Sequence, residues 1–139
     1  GIRIDSNTVS SVSITNPNIR TNQRHGIHLD SGNLQDLSIV NARMGANNLS
    51  NGSYHNIYLE NGTHNVYIAG GKLGGAVDLS GSSLQRYGIY IDGTSHDNIR
   101  IIGTNVNGNL TGGIYVSNSW SGSGNKIQFN SGTSVTRNN

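Results

Sequence analysis

The sequence predicts an all-β fold, a parallel β-helix of about five turns, and three observations predict it. A short alternating segment recurs as GIRID, GIHLD, NIYLE, GIYID and GIYVS, starting at Gly1, Gly26, Asn56, Gly88 and Gly113; the steps are 25, 30, 32 and 25 residues. A second alternating triplet follows each segment about ten residues on, and one more apolar position follows the triplet. Asn or Gly holds a fixed place after the triplet in four of the five repeats. Self-similarity at such a period marks a stack of equivalent units, each too small to bury a core alone.

The first strand of each repeat comes from that opening segment. Strict alternation points Ile2 and Ile4 to one face and Arg3 and Asp5 to the other. The second strand is the triplet Val12-Ser13-Ile14, Leu37-Ser38-Ile39, Val66-Tyr67-Ile68, Ile99-Arg100-Ile101 or Ile127-Gln128-Phe129. The third centres on Ile19, Met44, Leu73 or Val106, five residues after the triplet, with Val135 one residue late in the last repeat. Stacked turns then share one apolar column, with strands ~4.8 Å apart. The corner after the second strand falls on Asn16, Asn41, Gly70, Gly103 and Ser131. Asn and Gly tolerate the left-handed backbone that a sharp corner needs.

Composition fits a turn-rich coil. The chain has 20 Gly, one Pro and 12% charged residues, and its 32% apolar content is low for a globular domain. A narrow coil needs few inward residues per turn, so this content does not argue for disorder. The absence of Cys excludes disulfides, thiol catalysis and Cys metal sites. No signal peptide or membrane span is read, and a scattered net charge of +2 argues against a nucleic-acid groove. We read residues 1–139 as a single domain. Neither end carries a capping segment, so the expectation is a piece of a longer coil, or a unit whose ends neighbouring subunits cover.

The pattern G-I-x-[ILV]-[DE], then x-V-x-I, then Asn or Gly and another apolar position, resembles the right-handed parallel β-helix repeat of the pectate-lyase-like superfamily. Right-handedness follows from that resemblance and from the general crossover rule. The Gly-, Ser- and Asn-rich texture is most similar to bacteriophage tailspikes and capsule depolymerases. The resemblance implies a homotrimer, an extracellular or virion-tail location, and a bacterial surface polysaccharide as partner. No His pair has a metal-ligand spacing, hydrolysis needs no cofactor, and neither nucleic acid nor membrane is expected as partner. The N-T-D, D-D, G-H-G and R-I-K segments of polygalacturonases are missing, as are the D-P-H-E segment of mannuronan epimerases and the acidic cluster of pectate lyases. No catalytic residue therefore carries over by motif.

The site is argued from the stack instead. One outward column of the first strands is Arg3, His28, Tyr58, Tyr90 and Tyr115, and the next is Asp5, Asp30, Glu60, Asp92 and Ser117. Four of the chain's seven acids fall in that second column. Aromatic faces suit the apolar faces of sugars, and stacked acids raise one another's pKa toward the range of a general acid. The structural alternative is that the acids accept turn hydrogen bonds and the tyrosines form a sheet ladder. Connections from third to first strand are long at residues 45–56 and 74–88, and lead into the strands that bear Glu60 and Asp92. Insertions gather on the binding face of coiled repeats. We therefore expect Glu60 and Asp92 as an acid/base pair with Asp30 as a third candidate, and His28, Tyr58, Tyr90, Tyr115, Trp120 and Arg86 as substrate contacts; Asp78 could also reach over from its loop.

The function expected is endo-hydrolysis of a bacterial glycan. Lyase chemistry on a uronate, with Tyr or His as base, is the alternative among enzymes, and a glycan-binding or purely structural shaft is the alternative outside them. His25, His55, His64 and His96 read as surface turn residues, and His96-Asp97 as neighbours that point apart. Arg43 and Lys72 share an outward position on the third strand, and Val40 and Ile102 are outward apolar residues that fit a contact between coils. Four matches to the glycosylation acceptor pattern, at Asn48, Asn51, Asn61 and Asn109, are chance matches in an Asn-rich chain.

Overall fold

The structure is a computed structural model that describes residues 1–5, 9–30, 34–60, 62–75, 85–93, 96–117, 127–130 and 132–136. The expected all-β coil is present, and no helix occurs among the described residues. The first turn comprises β1 (Ile2–Asp5), β2 (Val12–Thr15) and β3 (Asn18–Arg20). The second holds β4 (Ile27–Asp30), β5 (Leu34–Val40) and β6 (Arg43–Gly45), and the third β7 (Ile57–Leu59), β8 (Thr63–Ala69) and β9 (Lys72–Leu73). The fourth consists of β10 (Tyr87–Ile91), β11 (Asp97–Ile102) and β12 (Asn105–Asn107), and the fifth of β13 (Gly112–Val116), β14 (Ile127–Asn130) and β15 (Ser134–Thr136).

Each turn gives one strand to each of three five-stranded sheets, in the orders β1-β4-β7-β10-β13, β2-β5-β8-β11-β14 and β3-β6-β9-β12-β15. All pairings are parallel and keep the repeat in register: Ile27 lies opposite Ile57, Leu37 opposite Val66, and Met44 opposite Leu73. Val135 pairs with Val106 despite its late position in sequence.

Alternation places the apolar members inside. Ile27, Leu29, Ile57, Leu59, Ile89 and Ile91 from the first sheet meet Ile39, Ile68, Ile99 and Ile101 from the second, and Met44, Leu73 and Val106 from the third; all are buried. Ile2, Ile4, Val12, Ile14 and Ile19 of the first turn pack on this column from one side and are half-buried.

The expected corner is left-handed at Asn16, Asn41, Gly70 and Gly103, with φ of 52°, 54°, 63° and 60°; Ser131 lies outside the described residues. A second left-handed position falls inside the middle strands, at Asp36, Asn65 and Asn98, with φ of 58°, 52° and 47°. It kinks each strand between two paired stretches, as an unpaired residue does in a bulge. Its side chains form their own ladder, Asn98 to Asn65 at 2.8 Å and Asn65 to Asp36 at 3.1 Å.

Candidate functional site: a ring ladder beside a carboxyl column

Register along the first sheet sets the site. Arg3 pairs with His28, His28 with Tyr58, Tyr58 with Tyr90, and Tyr90 with Tyr115. All five therefore project from the outer face, one above the other. Asp5 pairs with Asp30. The same ladder continues through the amides of Glu60, Asp92 and Ser117, which donate to the carbonyls of Leu29, Leu59 and Ile91. Both columns read from sequence are thus assembled.

A further ring column stands beside the first, and sequence reasoning missed it. His25, His55 and Tyr87 each precede a repeat start by one residue, and their rings interleave with the outer column. His28 stacks on Tyr58 (4.9 Å between centroids, 12° between planes), His55 on Tyr90 (4.4 Å, 9°) and Tyr87 on Tyr115 (5.0 Å, 28°). Tyr54 closes edge-on against His25 at 4.9 Å. Extending the repeat alignment one residue upstream would have found this column.

Two histidines correct the surface-turn reading. His55 and His96 are buried: the rings of Tyr58, Tyr87 and Tyr90 cover His55, and His96 sits between the Thr63 hydroxyl and the Asp92 carbonyl. Burial, then the neighbouring charge of Arg86, pushes His55 down to about 4, and burial with its histidine neighbours pushes His25 down to about 3. His25 is accordingly neutral, and its Nδ1 accepts the backbone N–H of His55 at 3.0 Å. Burial also lowers His96, whose Nε2 donates to the Asp92 carbonyl at 2.7 Å while the Thr63 hydroxyl faces its Nδ1. Asp97 pairs with His64 at 3.0 Å on the adjacent turn.

The carboxyls differ in their surroundings. Glu60 is held above the usual carboxylate range by burial and by Asp30, and its Oε1 lies 3.1 Å from His28 Nε2. Asp30 is held below it by its hydrogen bond with Glu60 and by Arg3, whose Nη2 donates at 2.7 Å. The two titrate as one pair, in which a proton is favoured on Glu60 over Asp30. Asp92 accepts from the Tyr58 hydroxyl at 3.0 Å and from the Ser117 hydroxyl. Burial and that bond to Asp92, together with the Glu60 charge, raise the Tyr58 phenol above its ordinary value, so it stays a donor. His28, Asp30 and Glu60 each present one donor atom, all within 4.8 Å of one another, a set able to hold a cation. The Arg3 guanidinium, 2.7 Å from Asp30 and 3.0 Å from Asp5, supplies positive charge there.

Two hollows flank the columns. One of about 480 Å³ is lined by Arg3, Arg24, His25, His28, Tyr54, Tyr58 and Glu60, among others. The other, of about 300 Å³, is lined by Ser53, His55, Tyr58, Arg86, Tyr87, Tyr90 and Tyr115. The structure therefore gathers His28, Asp30, Tyr58, Glu60, Arg86, Tyr90, Asp92 and Tyr115 on one face. Trp120 and Asp78 lie outside the described residues.

Comparison with protein-family models, with curated protein sequences and with solved structures finds no match to this chain. The reading of the site rests on its geometry.

Proposed function

We propose that this face binds an extended polysaccharide and cleaves it by carboxyl acid–base chemistry. The observation that carries the reading is the alignment, over successive turns, of Asp30, Glu60 and Asp92 beside an unbroken ladder of rings. Rings set along a straight sheet suit a polymer with apolar sugar faces, and a carboxyl that keeps its proton beside another held ready to act is the machinery of glycoside hydrolysis.

In this reading Glu60 gives its proton to the glycosidic oxygen as the bond to the anomeric carbon breaks. Asp92, oriented by Tyr58 and Ser117, bonds to that carbon. Glu60, now a carboxylate, takes a proton from water, and the resulting hydroxide displaces Asp92. Asp30 keeps the proton on Glu60 beforehand and His28 orients it. Glu60 and Asp92 stand on adjacent turns, ~4.8 Å apart in the strand ladder, close to the ~5–5.5 Å carboxyl separation of retaining enzymes. Retention of anomeric configuration is the expected outcome.

The finer identity rests on the resemblance of the repeat: a tailspike-like depolymerase of bacterial surface glycans, extracellular or on a virion tail, and a homotrimer. A non-catalytic glycan-binding shaft is the second reading. What favours it is that Asp30, Glu60 and Asp92 all have side-chain partners without ligand, as members of a structural ladder would.

The test is an end-group assay on bacterial capsules and O-antigens with wild type, Glu60→Gln and Asp92→Asn. Either variant is expected to lose at least ~100-fold in turnover while keeping affinity. Unchanged cleavage in both variants rejects the assignment, a product bearing an unsaturated uronate means lyase chemistry, and binding without cleavage by wild type leaves the shaft.

A further inference from the structure

We propose that the hollow around Arg86 is a subsite for a sugar bearing an anionic substituent, which makes the ligand of this face an acidic glycan. The inference rests on the glycan reading above and names the substrate class of the same site.

The argument starts from charge. Arg86 is exposed at the rim of the 300 Å³ hollow, among His55, Tyr58, Tyr87, Tyr90 and Tyr115. No carboxylate is among the described residues that line it. The ion pairs among the described residues join Arg3 to Asp5 and Asp30, His28 to Glu60, and His64 to Asp97; none reaches Arg86. The acids of this face are turned to other partners, Glu60 to Asp30 and His28, and Asp92 to Tyr58 and Ser117. A guanidinium at a ring-lined hollow, with no anion there among the described residues, is a site that a ligand's anion completes.

The post is also rigid. The Arg86 amide donates to the Tyr54 carbonyl at 2.9 Å, and its carbonyl accepts from Thr111 at 2.8 Å and from Gly112 at 3.1 Å. Its backbone is thereby tied to the turns on both sides. The ring floor beneath comprises Tyr87 on Tyr115 and His55 on Tyr90. His55, lowered to about 4, is neutral at pH 7, so among the described lining residues Arg86 carries the charge.

The repeat supplies a second such post. Arg24 and Arg86 each stand two residues before a repeat start, at Gly26 and Gly88, and Tyr54 holds that position in the turn between. Arg24 lies over the Tyr54 ring, 5.9 Å from its centroid, and lines the neighbouring hollow. Equivalent residues two turns apart are separated by about 10 Å along the stack. Two cations at that spacing match a chain with a repeating anionic sugar, lying along the ring ladder with Glu60 between them.

The experiment titrates the intact chain with methyl glucuronoside, methyl glucoside, glucose 6-sulfate and inorganic sulfate. It follows the tyrosine ring protons and the arginine Nε–H resonances by NMR, for wild type and Arg86→Gln. Wild type is expected to bind the glucuronoside or the sulfated sugar at least tenfold more tightly than the glucoside, with shifts at Tyr90, Tyr115 and Arg86. The two anionic sugars tell carboxylate from sulfate as the preferred substituent. Arg86→Gln should abolish the preference for the two anionic sugars. Equal binding of charged and neutral sugars overturns the inference while the glycan reading stands, as does a preference that survives Arg86→Gln. Inorganic sulfate binding as tightly as the sulfated sugar reduces the site to an anion hole and rejects the sugar. No response to any sugar rejects the glycan reading and the inference together.

Discussion

Lowering the pH presses hardest on the histidines of the ring ladder. His55 is 4% exposed and its pKa falls from 6.5 to about 4 on folding. The unfolded chain therefore takes its proton first, and stability rises with pH between about 4 and 6.5. The contribution is complete above 6.5, is lost as pH falls through about 4, and is on the order of 3 kcal/mol. His25, lowered to about 3, acts in the same direction. Glu60 acts oppositely, because its raised pKa favours the folded state at low pH and is a loss once both states ionise. Comparing His55→Gln with wild type cancels these other groups. Melting temperatures between pH 7.5 and 4.5 are expected to fall less steeply for the variant, and parallel curves would show that folding does not lower the His55 pKa. The outer columns were legible in sequence because period-two alternation alone decides which way Arg3, His28, Tyr58 and Tyr90 point. His25, His55 and Tyr87 were not, because they stand just ahead of the strands, and only the path of the chain into each strand decides whether such a residue meets water or the rings of the outer face.

At the scale of elements, the corners and the strand kinks hold the coil. Asn41 has φ of 54°, where an L-residue without a small polar side chain is strained by about 1–2 kcal/mol. Asn41→Ala is expected to cost about that much in urea unfolding, and Asn41→Gly to be close to neutral. Gly71, with φ of 79°, is tighter: a Cβ there would sit 2.2 Å from the Ala42 carbonyl oxygen. Gly71→Ala should cost at least ~2 kcal/mol. Equal stability of all three variants would mean that the corner relaxes freely. The corner was readable because Asn or Gly recurs at one offset from an apolar triplet. The kink at Asp36, Asn65 and Asn98 carried the same signal, one polar turn-former directly before each triplet. It was missed because a residue inside a strand is judged by its alternation, and Asp36 and its partners break no apolar position. The buried amides escaped for a different reason. Asn47 accepts from Asn22 at 2.7 Å and donates to Asn56 at 2.7 Å. This network links residues 25 and nine apart in sequence, and only the folded turn brings them together.

The whole molecule is a column in which each turn touches its neighbours, so stability is the sum of interfaces between turns. Leu59 is fully buried between turns on both sides, whereas Ile2 is half-buried and has a turn on one side. Leu59→Ala is expected to cost about 2–5 kcal/mol and Ile2→Ala clearly less, measured by denaturant unfolding; equal losses would contradict stacked nearest-neighbour packing. The same stacking makes the candidate binding face, since a feature at one repeat position becomes a row. Four repeat positions become two rows of rings, a row of carboxyls and the pair of posts Arg24 and Arg86 beside one sheet. The measurement that tests this most directly is capture on an array of bacterial surface polysaccharides by wild type and by a Tyr90→Ala/Tyr115→Ala variant that keeps its β-sheet circular dichroism. The account predicts that wild type captures at least one acidic glycan and that the variant binds it at least tenfold more weakly. Equal capture by both chains, or capture of no glycan by wild type, would contradict it.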